Sequence, residues 1–482
     1  MSSGLFSIAR SALLTHQTAL QTISQNIANA ETPGYSRQEA QLVATTPVRL
    51  AYGNVGTGVS VNSIIRKRDV LLDETYRAAA VQTGEMELRG NLLGQMEGVF
   101  GEPTDVGMSN ALDQFWNSWS DLASNPGSSA ARGVVQQRGR QLAQLFNSYD
   151  TQLTQQRTDS MERLSGTVSQ INSYANQIAG LNSRIMASES GGAPANDLRD
   201  KRDVALDSLA RIAGTRVINQ ANGTVSVMIG NSTLVDGDTA RPLSIQLDVP
   251  NPPPTVTPSD IAVRIRLGNS PDRLQPLAGE LKAVVDNINT SIPGLRGRLD
   301  AMASSLAATV NGAHTAGYTF VGNAIPGTAA GNFFAAGTLA APVRGSTLRL
   351  DATIAGDATR IAASGDPNAP TDNTAAQALG ALRTNSGSVT YTSPSGVVET
   401  NSFLGFFRNT VTTLGIDVRG AMDDATVYRT LSEQSEARRQ SISGVSTDEE
   451  LVQMLRVQQS YTAATKLIRV ADEMLQTLLQ LI

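Results

Sequence analysis

The sequence predicts a mainly α chain with β insertions: a long helical bundle or coiled coil built from both chain ends, with small β-rich insertions between. Three observations carry this. At the N-terminal end Phe6, Leu13, Leu20 and Ile27 return every seven residues, and at the C-terminal end Met454, Tyr461, Ile468, Leu475 and Ile482 do the same; that spacing is the a/d repeat of packed helices. Between the ends, Leu164, Ile171, Ile178 and Ile185 repeat the pattern inside a run from about 130 to 188 that holds no proline. At Gly214 the composition switches to Val, Ile and Thr scattered among Gly, Asn and Asp, which is strand and turn chemistry.

Residues 4–30 read as one helix, with Ala9, His16, Ile23 and Ala30 as the alternate seam positions. Apart from Arg10, its faces carry Ser, Thr, Gln and Asn and no formal charge before Glu31. A polar, uncharged outer face suits contact with protein on several sides better than contact with water. Pro33 disfavours helical geometry at Thr32 and ends the helix, and Pro33-Gly34 is type II turn chemistry. Residues 36–61 are glycine-punctuated and extended. Helices are expected over 66–100, 108–124, 130–188 and 197–212. Gly191-Gly192-Ala193-Pro194 lies between the last two. A proline-rich stretch and the strictly alternating strand 261–267 close the β insertion. A helix returns over 276–315 with a break expected at Pro293-Gly294. Residues 318–400 are Gly/Ala/Thr-rich with one short helix near 373–383, and helix resumes over 402–443.

The final segment opens with Thr447-Asp448-Glu449-Glu450, read as a capping box with acids on the positive end of the helix dipole. Leu451, Gln458, Thr465, Asp472 and Leu479 are its alternate seam positions, and Leu467, Ala471, Met474, Leu478 and Leu481 form a second apolar stripe beside them. A helix apolar on two adjacent faces packs against more than one neighbour. Isolated helices of this kind are marginal in water, so both ends are expected to need a partner to fold.

Composition excludes several functions. With no cysteine there is no disulfide, thiolate metal site or cysteine nucleophile. The net charge is −5, and the only basic run, Arg66-Lys67-Arg68, is too short for a nucleic-acid footprint; it reads as a solvated helix start. No run of 18 apolar residues is present, so no membrane insertion is expected. The N-terminal residues lack a basic n-region and a cleavage site, which points to export without a cleaved signal peptide.

No catalytic, cofactor or metal site emerges. Gly53, Gly56 and Gly58 lack the strand–helix context of a dinucleotide fingerprint. Asp236-Gly237-Asp238 reads as a turn, and Asp423-Asp424 as a solvated helix face. His314 is isolated, His16 is a polar seam residue, and Trp116 and Trp119 are core anchors. Asn182, on the 164–185 seam, reads either as a register-setting polar residue or as a wet helix end.

The segment Asn26-Ile27-Ala28-Asn29-Ala30-Glu31-Thr32-Pro33-Gly34-Tyr35-Ser36-Arg37 resembles the N-terminal signature of the flagellar rod, hook and hook-associated family. Residues 458–461 and 471–475 are similar to its closing helix. Leu112, Phe115, Trp119, Leu122, Pro126 and Arg132, then Asn196–Asp203 and Gly223–Gly230, resemble the hook-associated branch.

The resemblance implies a structural subunit of the bacterial flagellum and no enzyme: an adaptor ring between hook and filament, exported unfolded, its terminal helices paired as an inner coiled coil. Implied partners are further copies of itself, the flagellar hook protein, hook-associated protein 3 on the filament side, and an export chaperone on the C-terminal helix. The assembly interface is expected at Leu13, Leu20, Ile23, Asn26, Ile27, Asn29, Thr32, Gly34, Tyr35, Arg37, Leu451, Met454, Tyr461, Ile468, Leu475 and Leu479. The expected domains are a terminal assembly domain (1–60 with 445–482), a helical core (61–213, 276–320 and 402–444), a small β insertion (214–275) and a strand-containing outer region (321–401). Two other readings share these ends: a rod or hook subunit, and a secreted coiled-coil effector or adhesin using the same export route.

Overall fold

The computed structural model describes residues 2–50, 53–102, 104, 106–248, 261–268, 270, 273–338, 341–393 and 395–480. Its α-helices are α1 (Ser2–Ala28), α2 (Val70–Phe100), α3 (Met108–Ser124), α4 (Ser129–Glu189), α5 (Asn196–Ala213), α6 (Gly279–Asp286), α7 (Ile292–Thr315), α8 (Ala352–Gly356), α9 (Thr374–Ala381), α10 (Phe403–Ser443) and α11 (Thr447–Gln480). The strands are short: β1 (Gln38–Ala44), β2 (Val48–Leu50), β3 (Gly53–Val55), β4 (Val59–Arg66), β5 (Thr215–Asn219), β6 (Val225–Ile229), β7 (Ser232–Asp236), β8 (Thr239–Ala240), β9 (Leu243–Asp248), β10 (Ala262–Leu267), β11 (Tyr318–Thr319), β12 (Thr328–Ala329), β13 (Val389–Thr392) and β14 (Val398–Asn401). Every sheet is antiparallel, and the largest runs β5-β6-β7-β8. The chain is mainly α with β insertions, as its heptads and its composition switch at Gly214 require.

The spine is α4. Its 61 residues span roughly 90 Å at 1.5 Å per residue. Its first half enters one apolar core and its second half another. The first core gathers Phe115, Trp116, Trp119, Phe146, Phe333, Phe334, Phe403 and Phe406, all essentially inaccessible. Phe333, Phe334, Leu348, Leu350, Ile354 and Ile361 feed this core directly, and Asn311 of α7 caps the backbone N–H groups of Phe333 and Phe334 and donates to the Phe334 carbonyl. The second core joins the heptad face of α4 (Leu164, Val168, Ile171, Ala175, Ile178) to α5, α6 and the inner residues of β6 and β7. Truncating one such fully buried Ile to Ala costs about 2–5 kcal/mol, so the small sheet shares its core with the helices. Among the described residues, neither core contains one from α1, β1–β4 or α11.

The structure corrects several sequence expectations. Asn182 is no wet helix end: it is fully buried and donates to the carbonyls of Val225 and Gly237, pinning α4 to the sheet. The break expected at Pro293-Gly294 does not occur. A π-helical turn, Asn287–Ser291, precedes α7 and places Pro293 in its first turn, where no intrahelical N–H is missed. The basic run is not a solvated helix start, since Arg66 ends β4, α2 begins only at Val70 after its cap Asp69, and just Lys67 is solvated. Ser446, one residue before the expected box, caps α11, its hydroxyl accepting from the Glu449 N–H at 3.5 Å.

His314 packs against Trp119 and Phe333 with no exposed surface. Its Nδ1–H donates to the Gly331 carbonyl at 2.6 Å, and Nε2 accepts from the Ala362 N–H at 3.0 Å. Burial pushes its pKa down to about 4; a proton on Nε2 would also face the Ala362 donor. The unfolded imidazole titrates near 6.5. Stability from this group is therefore complete above about pH 6.5 and is lost as pH falls toward 4, by up to about 3 kcal/mol. Urea unfolding followed by tryptophan fluorescence should show a midpoint falling more steeply between pH 6.5 and 4.5 in the parent than in His314→Gln.

Candidate assembly interface

Helices α1 and α11 pack antiparallel, the end of α1 lying beside the start of α11. On α1 the covered stripe is Ala9, Thr15, Ala19, Thr22, Ile23 and Asn26. On α11 it is Glu450, Ala464 and Ala471, with Met454, Val457, Ile468 and Leu475 half-buried between them. Small residues let the two backbones approach closely. Leu13, Leu20 and Ile27 sit at the margin of this seam, half-buried, and His16 is half-buried with its Nδ1 sealed off and unbonded.

The alternate seam of α11 differs from expectation by one residue. Glu450, Val457, Ala464 and Ala471 face α1, while Leu451 is 50% and Tyr461 37% exposed. The reason is local: Glu450 is drawn inward by two polar partners. The side chains of Leu478 and Leu479, and all of Leu481 and Ile482, lie outside the described residues. The β1–β4 hairpin lies along α1, held in part by the Thr15 hydroxyl donating to the Val59 carbonyl.

Where the two helices leave the core, the signature residues form a polar knot. Asn26, 1% exposed, uses all its side-chain hydrogen-bonding positions. Its amide donates to the Gln38 carbonyl and to Glu450 Oε2, each at 2.9 Å. Its Oδ1 accepts from the Tyr35 hydroxyl at 2.8 Å and from the Gln38 N–H at 3.0 Å. Arg37 completes the clamp with Nε 2.7 Å from Glu450 Oε1, Nη1 3.0 Å from Glu449, and its backbone N–H on the Ser443 carbonyl. Burial, then the charges of Asp200, Asp197 and Glu450, push the Tyr35 phenol up, so it remains a donor. Asn29 and Thr32 are peripheral: Asn29 bonds back to Gln25 and accepts from Thr32. Gly34 has φ +78°, and a Cβ there would lie 2.2 Å from Val204 Cγ2, so only glycine passes between turn and α5.

The knot continues into the core through ions that the sequence reading missed. Ser36 donates to Asp200, Arg66 bridges Asp200 and Asp203 at 2.7 Å each, and Arg68 grips Asp73 through two bonds. Asp207 takes Arg77 and Arg439, and the Arg439 guanidinium lies 4.1 Å from the Tyr76 ring centroid. Burial opposes the charge on Asp203, but Arg68, Arg66 and Arg77 outweigh it and hold the carboxyl below its ordinary range. The signal was present in Asn196–Asp203. Asp200, Asp203 and Asp207 recur at helical spacing and carry the acids that Arg66 and Arg68 require.

Family comparisons place this arrangement. The flagellar hook-associated protein FlgK helical domain matches residues 93–334, the flagella basal body rod protein pattern matches 6–35, and the flagellar basal body rod FlgEFG protein C-terminal pattern matches 438–481. Flagellar hook-associated protein 1 of Bacillus subtilis is 30% identical over 97% of this chain and 96% of its own length. The chain belongs to the flagellar hook-associated protein 1 family. Its namesake in Salmonella typhimurium is 31% identical over 67% of this chain and 58% of its own length. The solved flagellar hook junction protein FlgK from Burkholderia pseudomallei shares the fold, with TM-score 0.64 and 17% identity over 77% of this chain and all of that one. Membership makes the chain a structural component of the flagellum. The signature that names this family at its N-terminus is thus, in this chain, the set of groups that ties both chain ends to the core.

Asn26→Ala strands Tyr35, Gln38 and Glu450 and is expected to loosen the knot by about 2–4 kcal/mol, read as faster limited proteolysis at 444–446. Gly34→Ala should cost about 1–3 kcal/mol, with Val204→Ala restoring part of that loss in thermal unfolding.

Proposed function

We propose that this chain is the adaptor that joins hook to filament, assembling with further copies of itself into a ring through its terminal helices. One observation carries this. Beyond the stripe turned to α1, helix α11 leaves Leu451, Val452, Leu455, Leu467, Val470 and Met474 each between 46% and 60% exposed. A band of that size on one long helix marks a protein-binding face. On α1 Leu13, Leu20 and Ile27 are half-buried, as is Leu475 of α11, and Tyr461 is 37% exposed.

In this reading the hook protein meets one side of the ring and hook-associated protein 3 the other. Before assembly, an export chaperone covers the apolar face of α11, as grooves do for amphipathic helices. In this reading the protein acts outside the cell and performs no chemistry. A rod or hook subunit would share both ends, but the helical-domain match over 93–334 favours the hook-associated role.

Electron microscopy of a strain lacking this chain should show bare hooks, with filament protein lost to the medium; absent hooks would instead indicate a rod or hook subunit. Leu467→Asp, on the exposed band, should leave the circular dichroism of the purified chain nearly unchanged and give the same bare hooks.

A further inference from the structure

Two outer faces around the first core carry opposite charge. Residues 122–149, which hold the first part of α4, contain three arginines and no acid. Arg138 and Arg140 flank an exposed stripe, Gln137, Gln141, Gln144 and Ser148, that bears no formal charge. Arg132, Arg138 and Arg140 donate to neutral acceptors: the Ile361 carbonyl, the Gln141 side chain and the Ala355 carbonyl. None of the three has a carboxylate oxygen within 4.0 Å among the described residues. Beside the stripe, between α4 and the start of α3, lies a cleft of about 510 Å³. Val106, Ala111, Gln114, Arg138, Gln144 and Leu145 are among its lining residues, and none of the described residues lining it is acidic. Val106, at its rim, is 83% exposed. The nearby acids are engaged elsewhere: Glu102 accepts from the Ser109 N–H at the start of α3, and Asp113 pairs with Arg383 at 2.8 Å.

The second face belongs to α10. This helix buries Phe406, Leu414 and Val418 in the same core and lies on α2, with Met422 packed over Gly90. It therefore looks out from a different side of the core than the α3–α4 cleft. Ile416, Gly420, Asp423, Val427 and Leu431 follow three or four residues apart, which places them on one face of the helix. All five are exposed, Ile416 by 65% and Val427 by 64%. Asp417, Asp423 and Asp424 are exposed along this face, with Arg419 among them, and none of the four has an ion-pair partner within 4.0 Å among the described residues.

One face thus offers a cleft with apolar lining, free arginines and no acid, and the other a helix with exposed apolar residues and an excess of free aspartates. We infer that the outer face of α10 docks into the α3–α4 cleft of a second copy of this chain. Ile416 and Val427 meet the apolar lining at Val106 and Leu145, and the aspartates meet Arg138 and Arg140, as helices dock in grooves and opposite charges fix their register. The inference rests on the ring reading above and adds to it a contact between helical cores beside the one between terminal helices. Because the two faces differ, the contact is head-to-tail and repeats from copy to copy in one direction, as a closed ring requires.

The chain has no cysteine, so a pair of introduced thiols reports this contact alone. The full chain carrying Gln144→Cys with Val427→Cys, on assembled flagella treated with a short bismaleimide, should run on a denaturing gel as a ladder of dimers, trimers and larger species. Either single variant should run as monomer, since unlike faces meet. Arg138→Glu with Arg140→Glu should weaken the ladder roughly tenfold or more by setting like charges together. Adding Asp423→Arg with Asp424→Arg should restore it, which a folding defect would not allow. Four results each overturn this inference and leave the ring standing: chain present on the flagella without a ladder, dimers from a single variant, a ladder unchanged by the arginine reversals, or no restoration by the aspartate reversals. Chain absent from the flagella overturns the ring reading, and this inference falls with it.

Discussion

Two helices taken from opposite ends of a 482-residue chain have no turn between them to set their register. Here the register comes from the buried Asn26, which holds Glu450 on one side and the Tyr35–Gln38 turn on the other. A buried polar group tolerates only the arrangement that satisfies it, so sliding α11 along α1 would strand a carboxylate and an amide together. Arg37 adds a counter-charge 2.7 Å from the Glu450 carboxylate, whose side chain is 2% exposed. The antiparallel pair, the hairpin along it and the direction of the exposed apolar band all follow from that placement.

The rest of the molecule divides by the kind of interaction used. Aromatic and aliphatic burial holds the two cores together along α4. The terminal helices are joined to those cores chiefly by hydrogen bonds and ion pairs, through Ser36, Arg66, Arg68 and the aspartates of α5. Apolar packing is non-directional and tolerant, whereas ion pairs between arginine forks and carboxylates fix an angle. Open clefts flank the Thr32–Tyr35 turn on both sides, so this polar neck is what orients the helix pair.

Much of this was legible in the sequence. Helix spans came out within a few residues because heptads, caps and Gly-Pro breaks are local signals, as at Leu164–Ile185 and at Ser402, which caps α10. Met454, Ile468 and Leu475, which the apolar spacing marks, are half-buried. The alternate positions slipped by one because the seam there is Glu450, Ala464 and Ala471, and neither alanine nor a buried glutamate announces itself by hydrophobicity. Arg66 and Arg68 were misjudged for a different reason. The partners of Arg66, Asp200 and Asp203, lie more than 130 residues away, Arg68 reaches Asp203 as well as its neighbour Asp73, and only the tertiary fold brings this set together. Pro293 was misread as a breaker because the π-helical turn before it has no sequence mark.

The central claim is that one buried knot makes α1 and α11 a single unit, distinct from the cores. Hydrogen exchange of the purified chain, read segment by segment in the parent and in Glu450→Ala, tests it most directly. The expected result is that residues 2–28 and 447–480 exchange together and faster than α2 and α4, and that the substitution accelerates both ends while leaving the cores unchanged. If α11 lost protection and α1 kept its own, the ends would be independent helices and the knot would not set their register.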